Sequence, residues 1–354
     1  MRPLLTTIAL TLGMAAAGAS AQPAAGPYKV LKTVKAGGDG SWDYVYADPA
    51  GRKLYAPRLG QTGHIMVFDL DTLAPAGDMA DINGHGVAVD AKSGHGFASS
   101  KPVAMWDAKT LAPIKTIDVQ GSPDGILGDP SSGRIYILSH SSPNVTAIDA
   151  ADGKVVGTVD VGGAPEQMVS DGKGRLFVDV ENKDEIAVVD SKTLTVTGRY
   201  SLADKCGEPA GLAIDVKTKV LFAACRKPAV MAMVNADTGQ ILDVQPIGKG
   251  VDGAGFNPAT KEAFASTGDG VLTVIKEESP TKFAVEQSVL THPGARTMTV
   301  DPKTGHVFLI VADYEAQPAT PPPAPPAGAP AGPGSRFRPR TMVPGSFSVI
   351  EVGK

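Results

Sequence analysis

The stretch ILGDPSSGRIYILSH, residues 126–140, decides the fold. Residues 126–129 form a short strand that ends on Asp129. Pro130-Ser131-Ser132-Gly133 has the composition of a turn, because Pro presets φ and Gly admits a left-handed backbone. Residues 134–140 (RIYILSH) are a second strand, rich in β-branched and aromatic side chains. Working outward, residues 145–149 (VTAID) make a third strand and Ala151-Asp152-Gly153 a hairpin. Residues 154–161 (KVVGTVDV) make a fourth, before Gly162-Gly163. The alternation is of period two, not the 3.6-residue stripe of a helix.

This unit repeats. Its strand-ending anchor recurs as Asp48, Asp90, Asp129, Asp171, Asp215, Asn257 and Asp301, at spacings of 42, 39, 42, 44, 42 and 44 residues. Four antiparallel strands in about 42 residues is the size of one β-propeller blade. The seventh unit supplies residues 296–301, 306–312 and 346–352 and then lacks a fourth strand. Residues 28–35 (YKVLKTVK) precede the first anchor and fit that vacancy, which would remove the open sheet edge. The expected fold is therefore all-β: a seven-bladed propeller, four antiparallel strands per blade, the last blade closed by the N-terminal strand.

Composition agrees. The 354 residues include 41 Gly and 29 Pro, which disfavours long helices. Hydrophobics at 42% are enough for a large core and exclude global disorder. Net charge is −4 with a pI near 5.9, so no global field draws nucleic acid or an anionic membrane. Residues 1–21 read as a signal peptide: Arg2, an apolar run, then Ala19-Ser20-Ala21 as a cleavage site. The expectation is a periplasmic or secreted protein, residues 22–354 forming one propeller, with no membrane span after processing. In an oxidising compartment Cys206 and Cys225 are expected to pair. Residues 317–344 hold 10 of the 29 Pro and read as a disordered insertion between the second and third strands of the seventh blade. Arg336, Arg338 and Arg340 make it basic.

Several segments carry a family resemblance: DPKTG at 301–305, DPSSG at 129–133, VVDSKT at 188–193, PIGKGVDGAGFNPAT at 246–260 and GDGVLTVI at 268–275. Over residues 28–354 the chain resembles the YncE-like, YVTN-type seven-bladed propellers. The YVTN tetrapeptide itself is replaced by YILS (136–139) and FVDV (177–180). The resemblance implies the fold and an exported protein; it carries no catalytic residues.

Function must come from a site. In a propeller the first strand of each blade lines the central channel, so residues five before each anchor share one mouth. They are Asp43, His85, Asp124, Glu166, Ala210, Asp252 and Arg296. Six of the seven are ionisable, and Glu208 lies two residues before the gap at Ala210. His140, Glu181 and Arg226 fall near the second-strand ends on the same face, as do Arg58 and His64. Clustered carboxylates raise one another's pKa unless a cation offsets them. Ca²⁺ would suit three carboxylates and water; His85 would admit Zn²⁺. A hydrated channel with Arg296 between two acids is the bland alternative.

Other motifs fail in context. Residues 248–253 match GxGxxG but precede a propeller strand, not a helix. Gly84-His85 and Trp106-Asp107 mimic the WD40 signature in one repeat only. No GxSxG or HExxH occurs. The sequence thus points first to an exported, non-catalytic binding or scaffold propeller, a monomer, offering a polar channel mouth to a small ligand or protein partner. The alternative is a divalent-metal-dependent hydrolase of lactonase type, using Asp124, Glu166, Asp252 and His85. The acidic ring argues against nucleic acid.

Overall fold

A computed structural model describes residues 26–315 and 341–354. Residues 1–21 and most of the Pro-rich stretch 317–344 lie outside the described residues. Seven antiparallel sheets form the blades: six have four strands, and in blade 1 the inner strand is split into Ser41–Trp42 and Tyr46–Asp48, both paired with Lys53–Leu59. Blade 3 is representative: Pro123–Asp129, Arg134–Ser139, Asn144–Asp149 and Val155–Asp160. The inner strands pack in sequence around a ring, and Met298–Val300 of blade 7 returns to Tyr46–Asp48 of blade 1. One 3₁₀ turn, Glu181–Lys183, is the one helical element among the described residues. No helix there is long and apolar enough to cross a membrane.

The repeating Asp has a local cause. Each anchor accepts a backbone N–H from the turn that follows it: Asp48 from Ala50 and Gly51, Asp90 from Ser93, and Asp129 from Ser131. Asp171 accepts from Lys173 and Arg175, Asp215 from Lys217, Asn257 from Ala259 and Asp301 from Lys303. These are Asx turns, which need only a short side-chain oxygen. That is why Asn257 can replace Asp. All seven side chains are buried, and the turn donors satisfy acceptor oxygens that would otherwise be buried unpaired.

A second Asx turn, which the sequence reading did not separate, ends the third strands. Asp69, Asp107 and Asp190 each accept from the backbone N–H and the hydroxyl of a Thr three residues on. The Leu after that Thr (Leu73, Leu111, Leu194) takes a positive φ, a conformation disfavoured for a residue with a Cβ. Packing between blades offsets the cost. Leu111 of blade 2 lies so close over Gly77 of blade 1 that a Cβ there would stand 2.4 Å from Leu111 Cδ1.

Closure is built from both ends of the described chain. Blade 7 combines Met298–Val300, Val307–Val311 and Ser348–Gly353 with Lys29–Lys35 as its outer strand. Lys29 pairs Gly353 and Lys35 pairs Ser348. Glu262 of blade 6 fastens the joint: it accepts from the Tyr28 hydroxyl at 2.5 Å and from Lys354 Nζ at 2.7 Å. The pairing Cys206–Cys225 is present, with Cα atoms 5.3 Å apart. Both residues are wholly buried within the apolar cluster shared by blades 4 and 5, rather than lying open on the channel face.

Candidate functional site

The ring positions are shaped by the backbone before any side chain acts. In blades 2 to 6 the register between first and second strands slips at one place: between Gly84 and Val87, Pro123 and Ile126, Pro165 and Met168, Pro209 and Gly211, and Val251 and Gly253. His85, Asp124, Glu166, Ala210 and Asp252 sit within those bulges. A bulge re-aims one side chain out of the ladder, here toward the channel mouth. Asp43 and Arg296 precede the regular inner strands of blades 1 and 7. Gly follows the ring residue in four of the five bulged blades. At Gly125 the reason is steric, since a Cβ there would meet the Glu166 carbonyl oxygen at 2.5 Å. Blade 4 instead has Gln167, whose side chain accepts from the Leu212 amide of blade 5 at 3.0 Å.

The predicted side chains then meet, apart from Ala210. His85 Nδ1 lies 2.7 Å from Asp43 Oδ2 and 3.2 Å from Asp124 Oδ1. His140 Nε2 lies 2.8 Å from Glu181 Oε2 and 3.4 Å from Glu166 Oε2. Arg226 bridges Glu181 and Asp252, and Arg296 Nε holds the other Asp252 oxygen at 2.6 Å. Ten residues, including Gly250 and Val251, line an open cavity of about 520 Å³. Ala210 is buried, and blade 5 contributes Arg226 from its second strand instead. Glu208 does not enter the ring; it pairs with Lys227 at 2.6 Å. Arg58 is buried away from the cavity, on the carbonyls of Gly37, Asp39 and Gly40 and against the Phe347 ring.

The mouth is electrostatically divided. Around blades 5 to 7, Asp252 has two permanent cations. Around blades 1 to 4, Asp43, Asp124 and Glu166 have only imidazoles. Burial, then repulsion from Asp124 and Asp252, pushes Glu166 up to about 8. Burial, then Asp43, raises Asp124; burial raises Asp252 as well, against both Arg. The hydrogen bond to Glu181 raises His140 to about 9, and that to Asp43 raises His85. In return Glu181 is lowered by His140. The two imidazoles, with pKa values raised by their carboxylate partners, stand where no Arg does.

Two contributors were missed in the sequence. Tyr44 places its hydroxyl 3.1 Å from Glu166 Oε1 and 3.2 Å from the Glu166 carbonyl. Asp179 is fully buried, accepts the Gln167 amide at 2.5 Å on one oxygen, and has no partner for the other among the described residues. In blades 2 and 6 the same place holds Ser99 and Ser266, whose hydroxyls reach the carbonyls of ring residues Asp124 and Arg296 in the next blade. An alignment of the blades by their bulges finds Asp179 as the one acid at that position.

Two triads satisfy a metal-site spacing: Asp43, His85 and Asp124, and Asp124, His140 and Glu166, the ligand atoms of each lying within 4.8 Å of one another. Asp252, engaged on both oxygens by guanidinium groups, belongs to neither.

No protein-family profile and no curated protein matches the chain in sequence. Solved structures do match in shape. The WD40 repeats of RRP9 superpose with a TM-score of 0.69 at 10% identity, covering 94% of this chain and 99% of that one. U3-55K gives 0.68 at 11% identity, covering 93% and 99%. The hydrazine synthase of Kuenenia stuttgartiensis gives 0.55 at 16% identity over 63% of this chain and 72% of that one. At such identities the likeness shows the propeller fold alone.

Proposed function

We propose that this chain is an exported, non-catalytic binding propeller of the YncE-like, YVTN-type group, whose channel mouth receives a small cationic ligand or the basic edge of a protein partner. The observation that carries this reading is the divided mouth: Asp43, Asp124 and Glu166 converge on an open cavity with no Arg or Lys among them. A bound cation would relieve the repulsion that raises Asp124 and Glu166. Export accords with the leader-like residues 1–21 and with the buried Cys206–Cys225 bond. In this reading residues 22–354 act as one monomeric unit. A thermal-shift screen of small amines and cations tests it. Stabilising hits on the native chain should vanish in Asp124→Asn and Glu166→Gln. Hits that survive both substitutions, or substrate turnover abolished by either, would overturn it.

The two His-containing triads favour a second reading, a divalent-metal-dependent hydrolase of lactonase type. There Asp43, His85, Asp124, His140 and Glu166 would hold the cation, which would supply Lewis acidity. Asp252, assigned to that set on sequence, would instead position Arg226 and Arg296. Failure of zinc-loaded protein to hydrolyse a lactone panel would remove this reading.

A further inference from the structure

We infer that the Arg-free half of the mouth is a dinuclear centre for divalent transition-metal ions, one ion in each of the two triads, with Asp124 shared between them. The inference rests on the reading of the mouth as a ligand site and narrows it to a metal.

The geometry asks for more than hydrogen bonds. His85 Nδ1 faces Asp43 at 2.7 Å and Asp124 at 3.2 Å. One ring nitrogen carries one proton, so it can donate well to only one of them. His140 Nε2 repeats the arrangement with Glu181 at 2.8 Å and Glu166 at 3.4 Å. A metal ion accepts one imidazole and two carboxylates at once: Asp43, His85 and Asp124 in one triad, and Asp124, His140 and Glu166 in the other, with Glu181 outside both. Metal–ligand bonds of about 2.0–2.2 Å set neighbouring donor atoms about 3 Å apart; the donor atoms of each triad lie within 4.8 Å of one another, with His85–Asp124 at 3.2 Å and His140–Glu166 at 3.4 Å.

The donor set selects the ion. Each triad offers one imidazole and two carboxylates. Ca²⁺ takes about six to eight oxygens, whereas imidazole with carboxylate suits first-row transition metals. Both imidazoles are part-exposed, at 38% and 39%, so the remaining coordination positions open to the cavity. A separate group points the same way. Asp179, wholly buried and directed like Ser99 and Ser266 toward the inner strands, leaves a carboxylate oxygen unpartnered. Its charged neighbours are Glu166, Glu181 and Arg226. That oxygen is a buried acceptor left without a donor on the Glu166 side, an environment whose cost a nearby cation would lower.

The test is zinc stoichiometry. Chelator-treated full chain is titrated with Zn²⁺ by calorimetry, and bound metal is counted by elemental analysis after gel filtration; Mn²⁺ and Ca²⁺ are run in parallel. The expected result is two Zn²⁺ per chain, two Mn²⁺ more weakly, and no Ca²⁺. His85→Ala and His140→Ala should each keep one, Asp124→Ala neither, and Asp252→Asn both. Circular dichroism checks each fold, and Asp124→Asn replaces Asp124→Ala if the latter unfolds. One ion in the native chain, or two retained without Asp124, overturns the dinuclear centre. No zinc, with Asp124-dependent binding of organic cations preserved, overturns the metal inference and leaves the binding reading standing. Loss of both kinds of binding overturns the two together.

Discussion

At the turn face of the ring, six of the seven blades carry Asp at or just after the end of their first strand, and blade 6 carries Asn257. At the mouth face, five residues earlier, no two adjacent blades carry the same residue: Asp43, His85, Asp124, Glu166, Ala210, Asp252, Arg296. The turn-face groups each cap the turn that follows in their own blade, whatever second partner, such as Arg52 for Asp301, they also hold. A local task that recurs seven times calls for one residue type. The mouth groups act across blades, His85 on Asp43 and Asp124, Arg226 on Glu181 and Asp252. A shared task allows each blade a different part. Titration divides the faces again. Asp301 and Asp171 are held below the ordinary range by Arg52 and Arg175 despite burial, while burial lifts Asp124, Glu166 and Asp252 above it.

The largest expected difference sharpens that contrast. Asp301→Ala removes a fully buried carboxylate that holds Arg52 and caps a turn. It should lower unfolding free energy by about 3–5 kcal/mol in urea titrations. Asp124→Asn at the mouth should change it by less than about 1 kcal/mol. Equal losses would break the comparison. Next, replacing Cys206 and Cys225 by Ser should cost about 3 kcal/mol, read in the same titrations, because the bond closes a separation of 19 residues.

The pH dependence should differ in sign between faces. Asp301 and Asp171 have lowered folded pKa values, so their contribution is complete above the unfolded pKa and is lost as pH falls below about 4. Glu166, raised to about 8, contributes fully below the unfolded carboxyl pKa. That contribution is lost as pH rises through about 8. Melting temperatures of metal-free protein should therefore fall at both ends, and Glu166→Gln should flatten the alkaline limb only. A flat acid limb in that variant would show that the faces are coupled. The smallest effect is Asp215→Asn, which keeps the turn acceptor and should stay within about 0.5 kcal/mol of the native chain. Asp215→Ala should lose more, because the Lys217 amide loses its acceptor.

The ring was legible in the sequence because two signals coincide: the anchor period, and a Gly after the ring residue in His85-Gly86, Asp124-Gly125, Ala210-Gly211 and Asp252-Gly253. The bulges that aim those side chains were not, since a bulge is a slip in pairing and a single strand carries no record of its partner's register. His140, Glu181 and Arg226 could be placed on the correct face. Their pairing could not be read, because it depends on how far a side chain reaches over a neighbouring blade. Asp179 was hidden for another reason: its equivalence to Ser99 and Ser266 becomes visible only when blades are aligned by their bulges. The disulfide partners were readable from export and count, but their burial was not.

Blade 7 has a consequence for biosynthesis. Lys29–Lys35 emerges first among the strands, yet its partner Ser348–Gly353 is made some three hundred residues later. Throughout translation that strand is an unsatisfied edge, open to pairing with any other extended chain. Lys29, Lys32 and Lys35 give it a positive charge at every third position, and charge on an edge discourages such encounters. These lysines, of which Lys32 comes to rest on the Thr72 carbonyl in the finished ring, can be understood as protection for a nascent chain that has not yet found its other end.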